Sequence, residues 1–224
     1  MSSVRASNGW LAALAPALAR PPAKGPMRLI RLALFALCAL PAVLLAGGLW
    51  RGELGVNPVE TLLNHSGLWA LRFVVLTLAL TPLRWLTGAA WVIRLRRQIG
   101  LWAFFYAAAH FTVYALFEHS LVVSTIVTDI ADRPFILVGM AAFTLMLPLA
   151  LTSTQGWIRR LGRNWKRLHW LVYPAAVLGL VHFFWIIRAN RWTEPLIYAG
   201  LVGIFLVWRV WRRGMPVGRE AGRK

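Results

Sequence analysis

The chain has 224 residues, of which 59% are hydrophobic and 14% charged, whereas an average soluble domain is about 45–50% apolar and about 25% charged. Its 25 Lys and Arg against 7 Asp and Glu give a formal charge of +18, but these bases stand in short clusters between apolar runs, unlike the basic polar surface of a nucleic-acid-binding protein. The composition therefore excludes a disordered chain, a disulfide scaffold and an ordinary cytosolic enzyme, gives no reason to expect a nucleic-acid partner, and predicts a membrane protein.

Three regions follow one another along the chain. Residues 1–27 are predicted to be a loosely ordered N-terminal tail, because four prolines stand within the first 26 residues. Residues 28–212 are predicted to form an all-α transmembrane bundle of six helices, and residues 213–224 a basic C-terminal tail. No internal repeat is detectable in the sequence.

Six apolar segments are expected to cross the membrane as helices, since backbone groups in lipid must be hydrogen-bonded within the segment. Four of them lie between charged residues and hold 19, 20, 25 and 20 uncharged residues, which is long enough for a hydrocarbon core about 30 Å thick. The second and sixth are weaker, because each contains an arginine. In chain order the segments are Arg31–Arg51, Gly67–Leu83, Arg97–Glu118, Arg133–Arg159, Arg167–Arg188 and Pro195–Trp211.

The distribution of charge predicts the orientation of the bundle. The N-terminus, the 84–97 and 159–167 loops and the C-terminal tail together hold 20 Lys and Arg and one acid, whereas the opposite loops hold four bases and six acids. Because basic loops stay on the cytoplasmic side, both termini are predicted to be cytoplasmic. The same basic side is expected to attract anionic membrane lipids.

Two histidines are candidates for a cofactor site inside the membrane. His110 follows Arg97 by 13 residues and His182 follows Arg167 by 15, so at about 1.5 Å per residue the two lie within roughly 3 Å of the same depth. Two imidazoles at one depth on parallel helices suit a haem with two axial histidines. The alternative is a pair of histidines that hydrogen-bond between helices without a cofactor.

Other ionisable residues are more ambiguous. His169 stands two residues after Arg167, close to the cytoplasmic face, and is either an interfacial anchor or part of a second site. Arg72 in the second segment either extends to the outer interface or pairs with a haem propionate, which guanidinium can bind through two hydrogen bonds. His65 and His119 are expected to be solvated loop residues.

Two motifs that are absent from the sequence limit how a haem could be bound and where its electrons could come from. Cys38 is the single cysteine, so the chain has no internal disulfide, and without a C-x-x-C-H motif any haem would be bound noncovalently. The sequence also lacks a glycine-rich nucleotide fingerprint. Electrons would therefore have to come from a separate donor.

Several stretches together carry a resemblance to a known family. They occur around the second, third and fifth segments: Asn57–Glu60, Ser66–Leu71, Leu80–Arg84, Arg96–Tyr106 running into His110, Thr152–Ser153, Arg160–Gly162, Trp165, Leu168–His169, Val172–Tyr173 and His182–Phe183. The chain resembles, over about residues 28–212, the MsrQ (YedZ) family of haem-binding membrane subunits of the periplasmic methionine-sulfoxide reductase system. That family belongs with the ferric-reductase-like transmembrane domains.

The resemblance implies a b-type cytochrome of the bacterial inner membrane. It would pass electrons from the quinone pool or a cytosolic flavin reductase to a periplasmic molybdopterin-dependent methionine-sulfoxide reductase subunit, for the repair of oxidised proteins. The family's histidines map onto His110, His169 and His182, and FMN is also reported as a cofactor of the family. The resemblance assigns FMN to no residue here.

One departure from the wider superfamily bears on the number of haems. Two-haem relatives carry a second histidine 13 or 14 residues away on the third helix, where this chain has Arg96, Arg97, Val123 and Ser124. One haem, held by His110 and His182, is therefore expected. His169 would be left for a flavin, a quinone or a second haem.

Two functions of other classes stay open. A small transporter or channel could line a polar path with His110, His182 and Arg72, and a membrane scaffold could use the histidines only to join helices. The absence of paired carboxylates within the spans and of a repeat disfavours the transporter. A haem absorption spectrum would separate the cytochrome from both.

Overall fold

The computed structural model describes residues 20–187 and 192–214. These residues form an all-helical bundle in which six helices are long and apolar enough to cross a membrane, so the predicted fold class is confirmed. The six spans are Lys24–Arg51, Pro58–Thr87, Ala90–Glu118, Pro134–Leu151, Arg163–Ile186 and Thr193–Arg212. Most of the predicted N-terminal and C-terminal tails, and the predicted end of the fifth span at Arg188, lie outside the described residues.

Several spans contain or adjoin irregular turns. The third begins as a 3₁₀ helix over Ala90–Leu95, continues as the α-helix Arg96–Val113 and ends in a π-helical turn over Tyr114–Glu118. The fifth comprises Arg163–Leu168, a 3₁₀ turn over His169–Leu171 and the α-helix Val172–Ile186. Two short helices connect spans, Val123–Asp132 before the fourth and Gln155–Leu161 after it, and the last helix extends to Gly214.

The second span starts nine residues earlier than its hydropathy predicts. Its helix begins at Pro58, with the Asn57 side chain accepting a hydrogen bond from the N–H of Glu60. Proline at the first helical position and asparagine at the cap both favour this start. His65 therefore lies on an exposed helical turn, not in a loop as expected.

The fourth span is shorter than expected and stops at Leu151. The hydroxyls of Thr152 and Ser153 donate to the carbonyls of Pro148 and Leu149, at 2.5 and 2.6 Å. Such side-chain bonds compete with the backbone ladder, and Thr154 then caps a new helix by accepting from the N–H of Trp157. The apolar run up to Arg159 is thus divided between a span and a connecting helix.

The spans pack as two close pairs, the second with the third and the fourth with the fifth. The two pairs meet through smaller contacts, the first span lies against the second and third, and the sixth against the second and fifth. The second span is the most central, since 44% of its apolar window is buried against 11% in the first, fourth and sixth. The helices of the two pairs thus pack less closely on each other than on their partners within a pair.

A buried tyrosine joins the first span to the third. Tyr106 is 1% exposed, and its hydroxyl donates to the carbonyl of Cys38 and accepts from the N–H of Ala42, both at 2.9 Å. A regular helix would pair those two backbone groups with each other. Pro41 lies between them in the chain, and because its ring crowds the preceding turn, the phenol hydroxyl serves both groups there.

Candidate functional site

The rings of His110 and His182 lie beside each other between the two helix pairs. His110 belongs to the third span and His182 to the fifth, and their ring centres are 6.2 Å apart with the ring planes at 82°. Both side chains are partly buried. The two histidines thus lie at the same depth in the bundle and on the sides of their helices that approach each other.

Each imidazole is tied through Nδ1 to a backbone carbonyl of the neighbouring span. His110 Nδ1 lies 3.0 Å from the carbonyl oxygen of Leu63, and His182 Nδ1 lies 2.6 Å from that of Phe135. Ser66 Oγ is a more distant neighbour of His110 Nδ1, at 3.5 Å. A carbonyl can only accept, so Nδ1 of each neutral ring carries the hydrogen and Nε2 keeps its lone pair for a ligand.

The spacing of the rings suits one metal ion between them. Two metal–imidazole bonds of about 2 Å, with about 1 Å more from each nitrogen to its ring centre, span about 6 Å, close to the observed 6.2 Å. Within residues 20–187 and 192–214, no group of three or more His, Cys, Asp or Glu could hold a metal ion. A two-nitrogen site of this kind fits an iron whose remaining ligands come from a macrocycle.

Aromatic side chains pack between the third span, which contains His110, and the fourth span, the helix Pro134–Leu151. Phe143 of the fourth span stacks on two rings of the third, Phe111 at 5.3 Å and Phe104 at 5.7 Å. Phe111 directly follows His110 in the chain. The residues that join the two helix pairs here are therefore flat and apolar, as the surroundings of a macrocycle would have to be.

Arg72 is held by side chains of its own span and of the sixth. Its Nε donates to Tyr198 Oη at 2.9 Å, Nη2 lies 3.6 Å from Glu194 Oε1, and the guanidinium stands 4.7 Å above the Trp69 ring. The Glu194 side chain is 50% exposed, so this ion pair contributes little stability by itself. Tyr198 in turn contacts Phe183, the residue after His182, so two contacts lead from Arg72 to the chain neighbour of His182.

His169 lies apart from the other two intramembrane histidines. It begins the 3₁₀ turn of the fifth span, 13 residues before His182, which corresponds to about 20 Å along a helix. Its ring stacks on Trp165 at 3.9 Å, and its Nδ1 lies 3.0 Å from the Trp165 carbonyl oxygen. The Trp165 indole N–H donates to the Thr152 carbonyl at 2.9 Å, so His169 is attached to the connection between the fourth and fifth spans.

His119 is not the solvated loop residue that was expected. Its Nε2 lies 3.2 Å from Asp129 Oδ2, and the two side chains are only 14% and 11% exposed. Asp129 also accepts from Tyr114 Oη at 2.7 Å and from Arg133 Nε at 2.8 Å. The chain reaches this cluster through Ser120 and Leu121, which both have positive φ, a local conformation that the sequence gives no reason to expect.

Two surface grooves lie away from the histidine pair. One, of 460 Å³, is apolar and lies on the sixth span, with Trp208 and Trp211 among its lining residues. The other, of 300 Å³, borders the cluster around His119 and Asp129. Neither of these two grooves is lined by His110 or His182.

Comparisons with known proteins match most of this chain. Residues 66–180 match the family described as "Ferric reductase like transmembrane component". Three relatives carry the name "Protein-methionine-sulfoxide reductase heme-binding subunit MsrQ". That of Xanthomonas euvesicatoria pv. vesicatoria is 50% identical over 73% of this chain and 76% of its own. That of Xanthomonas axonopodis pv. citri is 47% identical over 77% and 82%, and that of Azospira oryzae is 48% identical over 82% and 79%.

No solved structure was found to match the chain. The six apolar spans and the match to a transmembrane component together make it a multi-pass protein of the bacterial inner membrane.

Proposed function

This chain belongs to the MsrQ family of haem-binding subunits, within the ferric reductase like transmembrane components, and from that membership we propose that it is a b-type cytochrome holding haem between His110 and His182. Its role is to carry electrons across the inner membrane. The donor is the quinone pool or a cytosolic flavin reductase, and the acceptor is a periplasmic molybdopterin-dependent methionine-sulfoxide reductase subunit that repairs oxidised proteins.

One observation carries this proposal: two imidazoles 6.2 Å apart, each with Nδ1 committed to a backbone carbonyl. If the histidines only joined helices, one hydrogen bond from each ring would suffice, and the rings would have no need to face each other. The ring centres instead lie at the separation that one iron bound by two imidazoles requires, and each ring keeps the lone pair of its Nε2. The names of the relatives, which specify haem binding, agree with this interpretation.

The chain's own residues would divide the work as follows. His110 and His182 would hold the haem iron through Nε2, and the carbonyls of Leu63 and Phe135 hold the rings in one orientation and one tautomer. Bound haem supplies a one-electron carrier. Arg72 would neutralise a propionate, keeping its contacts with Tyr198 and Glu194 as a support for the guanidinium.

Other parts of the proposal rest on the family resemblance and on the pattern of charge. Both termini are proposed to be cytoplasmic, so His169 lies near the electron donor's side and Arg72 near the acceptor's side. His169 is a candidate for an inner site that takes a flavin, a quinone or a second haem. FMN is proposed as a further cofactor on the resemblance alone, and no described residue is assigned to it.

The test is an absorption spectrum of the detergent-purified protein, oxidised and dithionite-reduced, with haem measured as the pyridine haemochrome. We expect b-type bands and about one haem per chain, lost in His110→Ala and His182→Ala and kept in His169→Ala, because only the first two rings share one iron-sized gap. A colourless protein from haem-sufficient cells would refute the cytochrome. It would direct attention to ion or proton uptake by vesicles, the property that a transporter must show.

A further inference from the structure

The two proposed axial histidines contact their neighbouring spans in the same way. His110 packs on Gly67 and bonds the carbonyl of Leu63, four residues before that glycine. His182 packs on Gly139 and bonds the carbonyl of Phe135, again four residues before the glycine. In both cases the histidine, the glycine and the carbonyl belong to one close pair of spans.

Helix geometry explains why a glycine stands at this position. The carbonyl four residues earlier already accepts the N–H of the glycine within the helix, so a second donor must approach it past the glycine's own Cα. A Cβ built on Gly139 would lie 2.7 Å from both Nδ1 and Cε1 of His182, and one on Gly67 would lie 3.0 Å from Nδ1 of His110. Only a residue without Cβ lets each ring reach its carbonyl undisturbed.

From this repeated contact we infer that Gly67 and Gly139 are positioning residues of the cofactor site. Each admits an imidazole edge to a helix carbonyl, which fixes the Nδ1–H tautomer and leaves Nε2 for iron. The inference rests on the proposed function, because the histidines are taken as haem ligands. It adds that each helix pair builds half of the site by the same device, although the sequence holds no detectable repeat.

The test compares Gly139→Ala and Gly67→Ala with Gly179→Ala. Gly179 lies in the fifth span only three residues before His182, and a Cβ there would meet nothing within 4 Å, so it is a matched control. Alanine forms helices better than glycine, so a defect in the first two variants cannot come from a weakened helix. The readouts are haem affinity, the midpoint potential of the bound haem and its low-spin electron paramagnetic resonance signal.

We expect Gly139→Ala to lower haem affinity about 10–100-fold, the usual cost of losing a contact that orients a metal ligand. Gly67→Ala should do so less, since its contact is longer. Haem that remains should show a changed potential and a changed resonance signal, because a displaced ring loses its carbonyl. If Gly139→Ala does not accumulate in the membrane, Gly67→Ala decides the question by the same readouts.

The outcomes separate this inference from the function on which it rests. If both variants bind haem with the affinity, potential and resonance signal of Gly179→Ala, the positioning role is wrong, while ligation by His110 and His182 stands. If the unaltered protein binds no haem, the proposed function itself fails. Loss confined to the two glycines that face the rings would support both.

Discussion

Replacing Tyr106 by phenylalanine tests how much the link between the first and third spans stabilises the bundle. The change removes one hydroxyl from a 1% exposed side chain and leaves the carbonyl of Cys38 and the N–H of Ala42 without it. An unpaired buried group costs about 1–3 kcal/mol, but hydrogen bonds between membrane helices average about 0.6 kcal/mol and reach about 1.7 kcal/mol. Because two backbone groups depend on this hydroxyl, we expect a loss of about 1–2 kcal/mol.

The assay is unfolding of the detergent-solubilised protein by increasing SDS, followed by circular dichroism. Tyr173→Phe is the control, since the Tyr173 hydroxyl makes no hydrogen bond to any described residue, whereas its ring faces Arg209 and would remain. A Tyr106→Phe variant as stable as Tyr173→Phe would refute the reasoning. It would mean that the helix around Pro41 closes its own backbone bond once the phenol hydroxyl is gone.

Three further predictions concern the site and its surroundings. Because the two imidazole planes lie at 82°, the oxidised haem should give the strongly anisotropic low-spin resonance signal of perpendicular axial ligands; a signal typical of parallel planes would contradict the ring geometry. Arg72→Leu should lower the haem midpoint potential, since removing a nearby positive charge favours the oxidised state, whereas Arg72→Lys should have a potential close to that of the unaltered protein. Equal potentials in Arg72→Leu and the unaltered protein would exclude a propionate contact. Asp129→Asn should destabilise the protein by about 1–3 kcal/mol in SDS unfolding, because a mostly buried carboxylate with three partners loses its charge. Asp132→Asn, at an exposed position, should have little effect, and equal stability of the two variants would show that the cluster around Asp129 does not stabilise the bundle.

Hydropathy was sufficient to predict the number of spans, because that number depends only on the composition of each segment. It was insufficient for their ends. The start of the second span is set by Asn57 and Pro58, a capping signal that is readable in the sequence but lies outside the apolar run. The end of the fourth is set by hydroxyls at Thr152 and Ser153 that bond the preceding turn, within a run that hydropathy treats as continuous.

For the candidate site too, some features follow from the local sequence and others only from the packing of distant residues. The rise per residue of a helix was enough to put His110 and His182 at one depth, but rotation about the helix axes, and hence which side chains meet, depends on packing. The carbonyls of Leu63 and Phe135 carry no sequence signal, since every residue has one. The prediction that His119 is solvated was wrong because a turn with two residues of positive φ brings Asp129 against its side chain.

The second and third spans leave the ribosome before the fourth and fifth. The half of the site around His110 can thus assemble in the membrane, with its glycine and its carbonyl acceptor in place, while the half around His182 is still being synthesised. A nascent chain at that stage has only one of the two proposed haem ligands and would hold the haem only weakly. Tight binding would begin only when the fifth span inserts. Haem binding would therefore mark the point at which both pairs of spans are in the membrane and packed together.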